Sequence, residues 1–165
     1  MGEARATALV LTVSDGVSAG TREDLSGARL AVRLEAAGHA VSRGVVPDDA
    51  TAIVAAVREA TASHDLIVLT GGTGLTPRDV TPQALRSLLD YEIPGFGEVM
   101  RAEGRRATPF ASLSRSLAGV AGRTLVLALP GSPGGAAESL EAVLELLPHA
   151  LETLADDSSR HAAAR

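Results

Sequence analysis

Apolar residues fall in short runs separated by polar, turn-rich stretches, and their period changes along the chain. Residues 7–13 (TALVLTV) form a continuous β-rich run, the pattern of a strand buried on both faces. Residues 14–24 (SDGVSAGTRED) are polar and turn-forming. Leu30, Ala31, Leu34 and Ala37 then recur at helical spacing, with Ser26 placed to cap the helix and Gly38 to stop it. Residues 40–46 predict a second strand, broken by Pro47-Asp48-Asp49. Asp49 is placed to cap a helix whose apolar stripe is Ile53, Val57 and Ala60. Residues 66–69 (LIVL) predict the clearest buried strand, and it runs into Gly71-Gly72-Thr73-Gly74. Thr81-Pro82 predicts the cap and first residue of a helix reaching about Leu89. Ile93-Pro94-Gly95 reads as a turn and 96–106 as another helix. Residues 123–129 (RTLVLAL) predict a strand closed by 130–135 (PGSPGG). A last helix carries Leu140, Val143, Leu144, Leu147, Leu151 and Leu154, and Pro148 should kink or split it.

Strands and helices alternate throughout. That order predicts one α/β domain, a three-layer sandwich with a mostly parallel sheet and helices on both faces. The expected bounds are 7–155, with residues 1–6 as a disordered N-terminus and 156–165 as a flexible tail. In such sheets ligands bind beyond the carboxyl ends of the strands.

Composition narrows the chemistry. Aromatics are 2% of the 165 residues, so Ala, Leu and Val must supply the core. The net charge of −5 argues against nonspecific nucleic-acid binding. There is no Cys, which excludes disulfides, thiolate metal sites and thiol nucleophiles. The 15 basic residues are all Arg, which excludes a Walker-type phosphate loop and any lysyl covalent intermediate. No targeting signal and no membrane-length apolar run is visible, so a cytoplasmic location and no membrane partner are expected.

Three loops follow three strands: Ser14-Asp15-Gly16, 71–79 (GGTGLTPRD) and 130–135. A parallel sheet would gather them at one edge. The glycines of Gly71-Gly72-Thr73-Gly74 either make a plain tight turn or let backbone N–H groups approach an anion. Asp79, after Arg78, either caps the next helix or holds magnesium, which takes carboxylate and phosphate oxygens. Of the adjacent pair, Asp49 is read as a cap and Asp48 as functional. In Pro130-Gly131-Ser132, Ser132 can cap a helix whose N-terminus receives phosphate. Arg115, after Ser114, pairs with a phosphate or a carboxylate or stays solvated. His39, His64, His149 and His161 have no metal-binding spacing and read as surface or edge residues.

Taken in order, these pieces resemble the MogA/MoaB family of molybdenum cofactor biosynthesis proteins. The matching segments are Thr12-Val13-Ser14-Asp15, Asp24-Leu25-Ser26-Gly27, Val46-Pro47-Asp48-Asp49, 71–82 (GGTGLTPRDVTP), Pro94-Gly95-Phe96-Gly97-Glu98, Leu113-Ser114-Arg115 and 129–133 (LPGSP). The resemblance implies a molybdopterin-binding fold and adenylylation of molybdopterin by ATP with Mg2+, releasing pyrophosphate. It implies Asp48 and Asp79 as the catalytic and metal-holding positions. Ser14, Asp15, Gly71, Gly72, Thr73, Gly74, Arg78, Thr81, Ser114, Arg115, Pro130, Gly131 and Ser132 are the expected binding positions. A homotrimer, or a hexamer, and a downstream molybdate-insertion enzyme are the implied partners. The competing expectation is a molybdopterin-binding module without catalysis, or an inactive MoaB-like paralogue. Retention of both aspartates and of RDVTP points to an active member.

Overall fold

In a computed structural model the described residues are 5–162, with side chains described as far as Asp156. Strand β1 (Thr7–Val13) lies between β2 (Ala40–Val46) and β3 (Leu66–Thr70), and β3 pairs with β6 (Thr124–Leu129); all these pairings are parallel. β5 (Leu117–Ala121) turns at Gly122 (φ 62°) into β6 and runs antiparallel to it. The two-residue β4 (Tyr91–Glu92) completes the sheet order β2-β1-β3-β6-β5-β4. The mostly parallel sheet expected from the alternating pattern is present.

Side-chain alternation along the central strands makes the three layers. Leu66, Val68, Leu125 and Leu127 face one cluster with Leu30, Leu34, Met100 and Leu140. Ile67, Leu69 and Val126 face the other, with Ile53, Val57 and Leu85. The first cluster is covered by α2 (Leu25–Ala36), α5 (Pro94–Ala107) and α6 (Pro133–Val143), and the second by α3 (Ala50–Ala60) and α4 (Thr81–Arg86). A single turn, α1 (Asp15–Ser18), follows β1, and α7 (Leu147–Ala162) closes the described chain.

Several local expectations change. The cap of α2 is Asp24, whose carboxylate accepts the Gly27 N–H at 2.9 Å; Ser26 lies inside the helix and Ala37 is exposed. Thr81 is not a cap but the first residue of α4, which ends at Arg86. Pro94 starts α5 instead of ending a turn, as its fixed φ and missing N–H suit a first helical turn. β4, β5 and the 3-10 turn Pro109–Leu113 have no counterpart in the sequence pattern. Pro148 does split the last helix: a 3-10 turn at Leu144–Leu146 separates α6 from α7, and the proline sits in the first turn of α7. That helix continues to Ala162, through the start of the segment expected to be a flexible tail; no Gly or Pro interrupts it. The expected disordered start, 1–6, lies outside the described residues up to position 4. Ala6 lies beside the start of β2, its carbonyl accepting the Ala40 N–H at 3.0 Å. Among the described residues no helix is long and apolar enough to cross a membrane.

Candidate functional site

The four parallel strands end nearly level: Val13 lies opposite Val46, and Thr12 and Leu129 both lie opposite Thr70. The loops that follow them therefore leave from one sheet edge and enclose two adjoining clefts. A polar one of about 460 Å³ is lined by Ser14, Asp24, Asp48 and Gly71 among others. A more apolar one of about 560 Å³ is lined by Thr73, Leu75, Met100, Phe110, Leu113 and Ser114. Gly72, Asp79, Gly131 and Ser132 belong to both.

The glycine turn is possible only without side chains. Gly71 has φ 110°, and a Cβ there would strike the Val13 carbonyl oxygen; Gly72 has φ 70°, and a Cβ there would strike the Thr81 hydroxyl. Thr81 is wholly buried beneath this turn, its hydroxyl donating to the Gly71 carbonyl at 2.8 Å and its N–H to that of Gly72 at 3.1 Å. It was expected to bind ligand; its polar groups are instead committed to shaping the turn. The neighbouring loop is fixed from two sides. The Thr70 hydroxyl donates to the Pro130 carbonyl at 2.7 Å, and the Ser26 hydroxyl donates to the Gly131 carbonyl at 2.7 Å. Ser132 caps α6, accepting the Gly135 N–H at 3.2 Å, so the N-terminus of an 11-residue helix opens on the shared wall.

The carboxylates are held in place by the backbone. The Asp15 N–H donates to Asp48 Oδ2 at 2.9 Å and the Asp48 N–H returns a bond to Asp15 Oδ1 at 3.0 Å. This reciprocal pair ties the loop after β1 to the loop after β2. Arg78 reaches across from the glycine loop and donates through Nε (3.0 Å) and Nη2 (2.6 Å) to Asp15 Oδ2. The Arg78 hydrogen bonds and then the Asp48 N–H hold the Asp15 carboxyl below its usual 3.8. Asp49 caps α3 as expected, accepting the Ala52 N–H at 2.8 Å. Asp79 does not cap α4. Its Oδ2 accepts the Thr76 N–H at 2.9 Å and the Thr76 hydroxyl at 2.7 Å. Burial pushes the Asp79 carboxyl up, but the Thr76 bonds, the Gly74 N–H and the Arg115 charge outweigh it and hold it below 3.8.

Ser114 lines the apolar cleft, its hydroxyl 2.8 Å from that of Ser116. Arg115, expected to pair with a phosphate or a carboxylate or to stay solvated, is half-buried and bonded to the glycine loop. Its Nε donates to the Gly74 carbonyl at 2.9 Å and its Nη2 to the Asp79 carbonyl at 2.6 Å.

Sequence reasoning missed Thr76, Asp24 and Arg101. The Thr76-to-Asp79 spacing is that of a capping box, which was a legible signal. Asp24 gathers the Thr12 hydroxyl at 2.9 Å and Arg43 Nη2 at 2.7 Å besides its helix cap, pairings between residues far apart in sequence.

Among the described residues no group of three or more His, Asp or Glu side chains forms a metal cage. Three aspartates line the polar cleft; Asp24 is taken up by Gly27, Thr12 and Arg43, which leaves Asp48 and Asp79, each with lone pairs beyond the bonds it already accepts. Hard oxygen donors in that small number suit magnesium, which keeps waters and completes its shell with phosphate oxygens.

The family model described as "Probable molybdopterin binding domain" matches residues 9–149. A molybdopterin adenylyltransferase of Pyrococcus furiosus is 39% identical over 153 residues, which are 87% of this chain and 90% of that protein. The molybdenum cofactor synthesis protein cinnamon of Drosophila melanogaster is 40% identical over 91% of this chain, and the match takes up 26% of that protein. The chain likewise spans less than half of the bifunctional and gephyrin relatives that it matches. The crystal structure of the molybdopterin biosynthesis enzyme MoaB from Thermus thermophilus superposes with a TM-score of 0.81 at 50% identity, covering 90% of this chain and 96% of that one. With nearly its whole length matched and its sheet-edge loops in place, the chain belongs to the family of the probable molybdopterin binding domain.

Proposed function

We propose that this chain transfers the adenylyl group of ATP to molybdopterin and releases pyrophosphate. One observation carries the reading: Asp79 and Gly72 form a wall common to a polar cleft and an apolar cleft. The polar side has Asp48, the glycine turn and the N-terminus of α6, which suit a triphosphate and its cation. The apolar side has Leu75, Phe110 and Leu113, which suit a flat heterocycle. The terminal phosphate of molybdopterin would meet the α-phosphorus of ATP at that wall.

In the reaction a phosphate oxygen of molybdopterin bonds to the α-phosphorus. The bond from that phosphorus to the oxygen bridging to the β-phosphorus breaks, and pyrophosphate leaves with the electron pair. A phosphate nucleophile is ionised near neutral pH, so no general base is required. The protein's part is alignment and charge neutralisation. Asp48 and Asp79 would hold magnesium, which when bound offsets charge on the triphosphate. The Asp15–Asp48 pairing fixes one carboxylate and Thr76 fixes the other. Ser26 and Thr70 hold the 130–135 loop so that α6 faces the phosphates.

The test is pyrophosphate release with ATP, magnesium and molybdopterin together. Release from wild type that requires molybdopterin, and a fall of about 100-fold in Asp79→Asn, are expected. Molybdopterin binding should survive the substitution. Full activity in Asp79→Asn overturns the role given to this carboxylate. We extend the reading, on the family resemblance, to a cytoplasmic homotrimer or hexamer with domain bounds 7–155, handing its product to a molybdate-insertion enzyme. Sedimentation equilibrium giving a monomer would remove the oligomer from it.

A further inference from the structure

Gly97 and Arg115, from the segments Pro94-Gly95-Phe96-Gly97-Glu98 and Leu113-Ser114-Arg115, have no part in the chemistry just described. We infer that, with Arg101 on α5, they form a two-arginine relay that sets the position of the loop carrying Asp79, Arg101 and Arg115 acting as positioning residues. The inference rests on the proposed function for what Asp79 does, and on geometry alone for what holds it.

The outer step is Arg115. Its backbone N–H donates to the Thr73 carbonyl at 3.0 Å, its Nε to the Gly74 carbonyl at 2.9 Å, and its Nη2 to the Asp79 carbonyl at 2.6 Å. One residue thus grips both ends of the 74–79 segment and closes it into a ring. Within that ring the Asp79 N–H donates to the Thr76 carbonyl at 3.0 Å, and the Asp79 carboxylate accepts from Thr76. Leu75, Thr76, Pro77 and Arg78 are all exposed, so no burial of these residues holds the segment. The Arg115 fork supplies that restraint from the core side, and the Arg78 pair with Asp15 from the solvent side.

The inner step is Arg101, on α5. Its Nη1 donates to the Ser116 carbonyl at 2.8 Å and to the Ser114 carbonyl at 3.4 Å, the two peptides flanking Arg115. α5 is anchored in the core by Phe96 and Met100, so Arg101 ties the Arg115 backbone to a fixed body. Gly97 makes room for this step. A Cβ there would lie 2.8 Å from the Ser116 carbonyl oxygen and 3.0 and 3.1 Å from the two terminal nitrogens of Arg101. At Arg115 the planar guanidinium presents Nε and Nη2 as a rigid fork, whose span an ammonium, a single point on a flexible stem, cannot reproduce. The relay therefore runs core, α5, Arg101, the 114–116 peptides, Arg115, Asp79.

The experiment uses the full chain and two readouts. Hydrogen exchange at the Thr76 and Asp79 amides reads the relay directly. The manganese(II) concentration that half-saturates the protein in the presence of ATP, followed by electron paramagnetic resonance, reads its consequence for the aspartate. Arg115→Lys should speed exchange at both amides and raise the half-saturating manganese concentration about tenfold, the usual scale for a residue that orients a metal ligand. Molybdopterin affinity should stay within twofold. Arg101→Lys should speed exchange at both amides and raise the half-saturating manganese concentration to a smaller degree. The double variant should be no worse than Arg115→Lys alone, because the two act in series. Unchanged exchange in Arg115→Lys, or effects that multiply in the double variant, would overturn the relay. Should Arg115→Lys fail to fold, Gly97→Ala reads the same relay from the α5 end, and normal exchange there overturns it. If Asp79→Asn leaves manganese binding intact, the metal reading fails, while the exchange data still decide the relay.

Discussion

The two ends of the sheet make opposite use of their residues. At the carboxyl edge, loops after β1, β2, β3 and β6 surround clefts of about 460 and 560 Å³. At the amino edge a larger groove of about 710 Å³ is lined by Arg5, His39, Asp65, Arg123, Pro148 and Leu151. Size does not separate them; backbone polarity does. Helices α3 and α6 follow parallel strands and begin at the carboxyl edge, so their partly positive N-termini gather there with the glycine turn. The amino edge receives the C-terminal ends of α2 and α3, and two arginines and a histidine line it. At the carboxyl edge Asp15, Asp48 and Asp79 have their carboxylates bonded to backbone N–H groups. At the amino edge one carboxylate, that of Asp65, accepts a backbone N–H, from Thr7 at 2.8 Å, and the buried Nδ1 of His39 has no hydrogen-bond partner among the described residues. Preorganised polar groups mark the candidate site better than the volume of a cavity does.

Substitutions at the two edges should therefore diverge. The largest effect is expected for Gly71→Ala, which forces a side chain to φ 110° against the Val13 carbonyl. A cost of order 3 kcal/mol and loss of pyrophosphate release should follow, read by chemical denaturation and by turnover. Normal stability in that variant would mean that the turn is not fixed as described. Thr81→Val keeps shape but leaves the buried Gly71 carbonyl without its donor. About 1–3 kcal/mol of stability should go, with activity reduced beside it. Arg123→Ala, at the other edge, should change stability by no more than about 0.5 kcal/mol and leave turnover alone. A marked loss of turnover there would erase the contrast between the edges.

The smallest expected effect separates the edges by pH. Burial holds the His39 imidazole below its usual 6.5, against the opposing pull of the Ala6 backbone and the Asp65 charge. The folded chain resists a proton that the unfolded chain accepts, so this contribution is constant above pH 6.5 and declines as pH falls below it. Asp15 and Asp79, with pKa values lowered from 3.8, contribute fully above that value and lose their contribution only as pH falls through the acid range below it. Between pH 7 and 5 the melting temperature of wild type should therefore fall more steeply than that of His39→Asn. Parallel curves would show that burial at the amino edge does not act on this ring.

Much of the architecture could be read from residue order. Compact β-rich runs at 7–13, 66–69 and 123–129 admit little but buried parallel strands, and Asp49 before an amphipathic run admits little but a cap. β5 escaped because Leu117–Ala121 is short, small-residued and paired antiparallel, with its partner supplied by a hairpin at Gly122. Ser26 was misread because hydroxyl, carboxylate and helix start lie within three residues, and only packing shows that Asp24 takes the cap while Ser26 crosses to Gly131.

The sequence alone determined the strand and helix types, the cation chemistry left by a chain without Lys or Cys, and the small-residue loops, because period, composition and glycine content are local properties. Tertiary structure decided which polar groups face the clefts and which hold the loops. Thr81 and Arg115 turned out to serve backbone carbonyls, while Asp79 came to stand between two clefts. Those outcomes depend on which carbonyls the sheet register brings within reach of a donor, and register joins residues that are distant in the chain.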